Sequence, residues 1–162
     1  MSSCVFPGSF DPVTIGHVDL ITRACAIFDH VTVTVMINIH KAGSLPDEKR
    51  ILMLQKACAA LQNVTIESWD GLLADYMKQK GEKTVVRGLR NESDFEQEFS
   101  GFQANRILNS QIETLFLPTD PAYAGVSSSI VREIAAFGGD ITPFVPKGLS
   151  KEITDLLSNN AK

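Results

Sequence analysis

The chain is poor in the features that mark secreted, metal-binding and membrane proteins. Its 162 residues include three cysteines, Cys4, Cys25 and Cys58. An odd count without a C-x-x-C pair opposes a disulfide or zinc framework and suits buried thiols in a reducing compartment. No uncharged stretch approaches the ~20 apolar residues of a membrane span. The N-terminal residues lack a basic segment followed by an apolar one, so no secretory leader is expected and the expected location is cytoplasmic. Basic charge is also scarce: 15 Lys and Arg stand against 19 Asp and Glu, a net charge of −4. That balance opposes broad nucleic-acid binding, which needs a basic face, but it leaves room for a few arginines in a nucleotide pocket. No H-x-x-H or carboxylate cluster has metal-ligand spacing, so no protein-held metal is expected. Ser127, Ser128 and Ser129 do not stand in a G-x-S-x-G turn, and no Ser/His/Asp set is apparent.

What is present reads as an ordinary globular domain, with 44% hydrophobic and 21% charged residues. At this length one domain is expected, spanning residues 1–162. Cys4 to Phe6 reads as a buried strand ended at once by Pro7 and Gly8, and a helix follows with Val18, Leu20, Ile21, Ala24 and Ile27 inward. The β-branched run Val31 to Ile37 predicts a second strand. Pro46-Asp47-Glu48 opens a helix whose apolar face is Ile51, Leu52, Leu54, Ala57, Cys58 and Leu61. Val64 to Glu67 is a third strand, then a helix from Asp70 to Lys80 with Leu72, Leu73, Tyr76 and Met77 inward, stopped by Gly81. A short strand at Thr84 to Val86 runs into Arg87-Gly88-Leu89-Arg90, and Asn91 or Ser93 caps a helix to about Leu108. Ile112 to Leu117 is the fifth strand; a helix over Ile130 to Phe137, an extended Pro143 to Pro146 and a last helix near Ser150 to Leu157 complete the chain. Strict alternation predicts an α/β fold: a five-stranded parallel sheet with helices on both faces, and ligands at the carboxyl ends of the strands.

The polar clusters all follow predicted strands. Gly8 to His17 is a strand, a small-residue loop and a helix start, the layout that aims free backbone N–H groups at an anion. His17, directly after Gly16, sits in the positive field of that helix end, which favours its neutral form; a neutral imidazole still donates one hydrogen bond. Arg87 and Arg90 flank a glycine, well placed for bidentate phosphate contacts, or for ion pairs with Glu92, Asp94, Glu96 and Glu98, which otherwise form a solvated face. Ser127 to Ser129 cap a helix or bind an anion there. His40 and Lys41 follow the second strand; a loop lysine alone is usually only solvated. Together these groups suggest several phosphates and no protein nucleophile. That suits direct phosphoryl or nucleotidyl transfer, where catalysis is mainly positioning and charge stabilisation.

These residues resemble a known family. Gly8-Ser9-Phe10-Asp11-Pro12 followed by Thr14-Ile15-Gly16-His17 is similar to the (H/T)-x-G-H signature of the nucleotidylyltransferase superfamily, and Ser127 to Arg132 to its second motif. With Arg87-Gly88-Leu89-Arg90 and Asp94-Phe95-Glu96, the whole resembles the bacterial phosphopantetheine adenylyltransferases over about Val5 to Leu157. The resemblance implies a Rossmann-like domain and adenylyl transfer from ATP to 4′-phosphopantetheine, with Mg²⁺ accompanying ATP. It implies His17, Lys41 and Arg90 as catalytic residues. ATP would be held by Ser9, Phe10, His17, Gly88, Leu89, Arg90, Glu98, Tyr123, Ala124, Gly125, Val126, Ser127, Ser128 and Ser129. The acceptor would be held by Ser9, Lys41, Leu73 and Arg87. It further implies a hexamer built as a dimer of trimers and feedback inhibition by coenzyme A. The chain departs from the common pattern at Ser9, at Ile15 and in Ala42-Gly43-Ser44-Leu45, where a second lysine and a proline are frequent. The rivals are a superfamily enzyme acting on nicotinate mononucleotide, opposed by Thr14 and by the Arg87 to Arg90 block, and a non-catalytic nucleotide sensor.

Overall fold

A computed structural model describes residues 2–38 and 43–159. Five strands, β1 (Ser3–Gly8), β2 (His30–Met36), β3 (Val64–Trp69), β4 (Thr84–Leu89) and β5 (Glu113–Pro118), form one parallel sheet in the order β3-β2-β1-β4-β5. The helices are α1 (Ile15–Ile27), α2 (Asp47–Ala57), α3 (Leu73–Lys80), α4 (Glu92–Leu108), α5 (Ser128–Ala136) and α6 (Ser150–Asn159), with a short 3₁₀ turn at Pro121–Tyr123. No helix among the described residues is long and apolar enough to cross a membrane.

The two-residue period of the strands sorts side chains between two cores. Cys4, Phe6, Val31, Val33, Val35 and Val86 face a large cluster completed by α1, α2, α5 and α6, through residues such as Ile21, Leu54, Val131 and Ile153. Val5 and Val85 point the other way and pack with Ala74, Tyr76, Met77 and Ile112. The expected alternation and the helices on both faces are therefore present.

Local readings needed correction. Pro7 and Gly8 do not end β1; both pair with β2, opposite Thr34 and Val35. Proline is tolerated because β1 and β4 pair only at Val5–Val85, so no β4 ladder bond demands the missing amide. On α2 the buried positions are Arg50, Met53 and Leu54, while Leu52 is 38% exposed. Leu72 precedes α3 and is exposed, as is Ile27 at the end of α1. The stretch after Ile141 forms a turn closed by Phe144 N–H on the Ile141 carbonyl, where an extended segment was expected.

The chain leaves β1 toward β2 and β3, then returns to β4 on the other side of β1. With a single residue pair joining β1 to β4, their carboxyl ends separate and open a crevice at the switch point of strand order.

Candidate active site

Four segments meet in that crevice. The loop after β1 carries Ser9 and Phe10, the start of α1 carries Gly16 and His17, the end of β4 carries Arg87, Gly88 and Arg90, and the start of α5 carries Ser127, Ser128 and Ser129. Glu98 and Asp94 of α4, with Tyr123 and Val126, complete much of the wall of a cleft of about 340 Å³. Leu89, Ala124 and Gly125 lie on the same segments but do not line the cleft. Leu73 lines an adjoining cavity of about 210 Å³ that shares Pro7, Arg87 and Glu98 with the cleft. His40 and Lys41 lie outside the described residues.

The T-x-G-H sequence builds its own helix start. Thr14 is the N-cap of α1, and its hydroxyl accepts the His17 N–H at 3.3 Å. In return, the His17 ring accepts the Thr14 N–H at Nδ1, 3.0 Å away. This is a capping box with histidine in the place usually held by Glu or Gln. An amide N–H is always a donor, so Nδ1 is the bare nitrogen and the proton of the neutral ring sits on Nε2. Burial, then the charges of Arg87 and Arg90, push the His17 pKa down to about 4. The ring is thus a neutral, fixed donor in the cleft. Ile15 N–H is taken by the Phe144 carbonyl, so Gly16 keeps the first-turn amide without a partner among the described residues.

The arginines of β4 are braced by α4. Arg87 grips Glu98, with Nε to Oε2 at 2.6 Å, and also donates to the Pro7 carbonyl. Arg90 pairs with Asp94 through two bonds of 2.7 and 2.9 Å, which hold the Asp94 carboxyl below the usual carboxylate range. The acids of α4 thus divide: Asp94 and Glu98 orient arginines, while Glu92 and Glu96 are exposed. Gly88 serves packing. A Cβ there would lie 2.3 Å from Leu20 Cδ1, so glycine leaves room for the Leu20 methyl of α1 against β4.

The serine run is divided as well. Ser127 Oγ caps α5 by accepting the Ile130 N–H, Ser128 Oγ donates to the Pro12 carbonyl at 2.7 Å, and Ser129 Oγ accepts from Arg132. Arg132 also donates to the Asp11 carbonyl. The second motif therefore ties itself to the first, and the N-terminal ends of α1 and α5 face one space.

Three residues went unread in the sequence. Arg132 lines the cleft but was quoted only as part of its motif. The Asp11 carboxylate, nearly buried, accepts the Ser44 and Leu45 amides at 2.7 Å each. Arg50 is 3% exposed and donates to the Ser9 carbonyl. Its helical spacing to Met53 and Leu54 was the available signal, masked by the charged run Asp47 to Arg50.

The cytidylyltransferase-like family matches residues 5–134. A phosphopantetheine adenylyltransferase of Finegoldia magna is 49% identical over 149 residues, 92% of each chain. One from Streptomyces coelicolor is 45% identical, covering 98% of this chain and 99% of its own, and one from Rubrobacter xylanophilus is 43% identical over 99% and 98%. A crystal structure from Vibrio parahaemolyticus, described as a nicotinate-nucleotide adenylyltransferase, superposes with a TM-score of 0.69 over 98% of this chain and 93% of its own; at 19% identity it speaks for the fold alone. By sequence, fold and the layout of its cleft, the chain belongs to the phosphopantetheine adenylyltransferases, within the cytidylyltransferase-like nucleotidyltransferases.

Proposed function

We propose that the protein transfers the adenylyl group of ATP to 4′-phosphopantetheine, giving dephospho-coenzyme A and pyrophosphate in coenzyme A synthesis. A phosphate oxygen of the acceptor attacks the α-phosphorus in line, and the bond from that phosphorus to the β-phosphate oxygen breaks. The observation that carries this reading is His17. It is a neutral donor of fixed tautomer, set between two helix N-termini and an arginine pair. Negative charge grows on the α-phosphate oxygens during attack, and a preorganised donor there acts on the transition state.

Nε2–H of His17 serves the α-phosphate. Arg90, Gly88, Leu89 and Glu98 hold the nucleotide with Ser9 and Phe10. The stretch from Tyr123 to Ser129 wraps the adenine and the outer phosphates. Arg87, lying where the cleft and the Leu73 cavity meet, takes the acceptor phosphate, and the pantetheine arm runs into that cavity. Ser9 and Lys41 join the acceptor side. The Asp94 and Glu98 carboxylates are engaged by arginines, so the donor set fits a Mg²⁺ ion held by triphosphate oxygens and water. When bound with ATP, such an ion would neutralise charge on the departing pyrophosphate.

Coenzyme A carries the product's pantetheine and adenylate, and in this reading it competes for the same cleft as a feedback inhibitor. Assembly as a hexamer, a dimer of trimers, is part of this reading, and the exposed aromatic stripe of α4 supports contact between copies. Phe95 and Phe99 are 44% and 40% exposed and stacked 5.6 Å apart, and no residue of α4 is buried. Cytoplasmic location accords with the free, largely buried cysteines.

The test is pyrophosphate release with ATP and Mg²⁺, offering 4′-phosphopantetheine beside nicotinate mononucleotide. Release with the pantetheine acceptor is expected. Release only with the mononucleotide overturns the acceptor, and ATP binding without release from either points to a sensor.

A further inference from the structure

Arg50 does not line the cleft, yet it is the most buried charged side chain of the described residues. Its guanidinium donates to the Ser9 carbonyl at 2.8 Å and pairs with Asp47, whose own side chain is 43% exposed. Its Nε is buried without a partner among the described residues. A buried guanidinium with an orphaned donor costs stability, and an apolar side chain of like volume would avoid that cost. The fold therefore keeps Arg50 for what it holds, which is the turn at Ser9.

That turn is strained. Phe10 has φ +47, a conformation few bulky residues adopt and one that persists only where the surroundings enforce it. The enforcing contacts bracket Phe10 on both sides. Arg50 holds the Ser9 carbonyl, Arg132 holds the Asp11 carbonyl, and the Asp11 carboxylate is fixed by the Ser44 and Leu45 amides. Held this way, the Phe10 ring is 99% buried and meets the His17 imidazole edge-on, centroids 5.1 Å apart.

We propose that Arg50 is a positioning residue: through the Ser9 carbonyl it holds the left-handed Phe10 turn, and through the Phe10 ring it holds the His17 imidazole in its catalytic orientation. The proposal rests on the role given to His17 above. It makes the site's preorganisation depend on a side chain of α2 that does not line the cleft.

The test compares Arg50→Met and Arg50→Lys with the parent protein. Arg50→Met keeps volume and leaves Asp47 to water, so the variant is expected to fold. Expected are a fall in kcat of about tenfold or more, the scale of losing one charge-assisted hydrogen bond, an ATP Kd within about twofold of the parent by the same scale, and a smaller loss for Arg50→Lys. The ring ¹⁵N signals of His17, split in the parent into a bare Nδ1 and a protonated Nε2, should move toward the tautomer average in Arg50→Met. Unchanged kcat and an unchanged His17 signature overturn the proposal, as does a lowered melting temperature with both readouts intact. If Arg50→Met fails to fold, Arg50→Lys decides on the same two readouts. If the parent protein itself releases no pyrophosphate, the functional reading falls, and the His17 signature alone decides the positioning role.

Discussion

At the scale of single residues, His17 carries the proposed chemistry. Its neutral form is enforced by burial and by two arginines, and its tautomer by one backbone amide. His17→Ala should lower kcat on the order of 10²-fold while ATP still binds, as when one preorganised donor is removed from an oxyanion site; near-parental turnover would remove His17 from the mechanism. The low pKa also has a thermodynamic consequence. The folded protein holds this proton less readily than the unfolded chain, where the value is 6.5. The stability His17 contributes is complete above about pH 6.5 and is lost as the pH falls toward 4. Urea melts at pH 7 and pH 5 should therefore show a larger loss for the parent than for His17→Asn. Equal losses would show that the ring titrates normally.

At the scale of elements, α1 is capped at its start by Thr14 and packs its Leu20 methyl against Gly88 of β4. Thr14→Ala removes the hydroxyl that caps α1 and should cost about 1 kcal/mol in a chemical melt. It keeps the backbone N–H that faces Nδ1, so turnover should change far less than in His17→Ala. A large loss of turnover would assign the hydroxyl itself a role. Gly88→Ala drives a methyl into Leu20 and should cost ~1–3 kcal/mol by overpacking. Adding Leu20→Ala opens the space and should recover part of that loss, a non-additivity that a double-mutant cycle measures. Full additivity would mean that the contact is absent in solution.

At the scale of the whole molecule, a net charge of −4 coexists with a cleft lined by Arg87, Arg90 and Arg132. Acidic side chains hold the cleft arginines in place from α4, and the neighbouring stripe of that helix is aromatic. If α4 is where copies meet, Phe99→Asp should lower the mass seen in sedimentation, because a carboxylate cannot be buried there unpaired. A parent protein that sediments at 17.7 kDa would count against the assembly.

The sequence by itself determined the elements and most of the residues that the cleft assembles. Period-two and period-3.6 patterns set strands and helices, and glycine, histidine, arginine and serine at strand ends marked the loops that line the cleft. Its local readings failed where burial is decided by distant contacts. Arg50 passed unremarked because the Ser9 carbonyl it serves is 41 residues away. Pro7 looked like a strand end because nothing local shows that β1 and β4 part at Val5. Leu52 and Leu72 read as core because a local apolar pattern cannot say which stripe meets the sheet. Strand order, the crevice it opens, the division of α4 between braced and exposed acids, and the strained turn beneath His17 were decided only by the tertiary structure. Each depends on hydrogen bonds and packing between segments that the chain holds far apart.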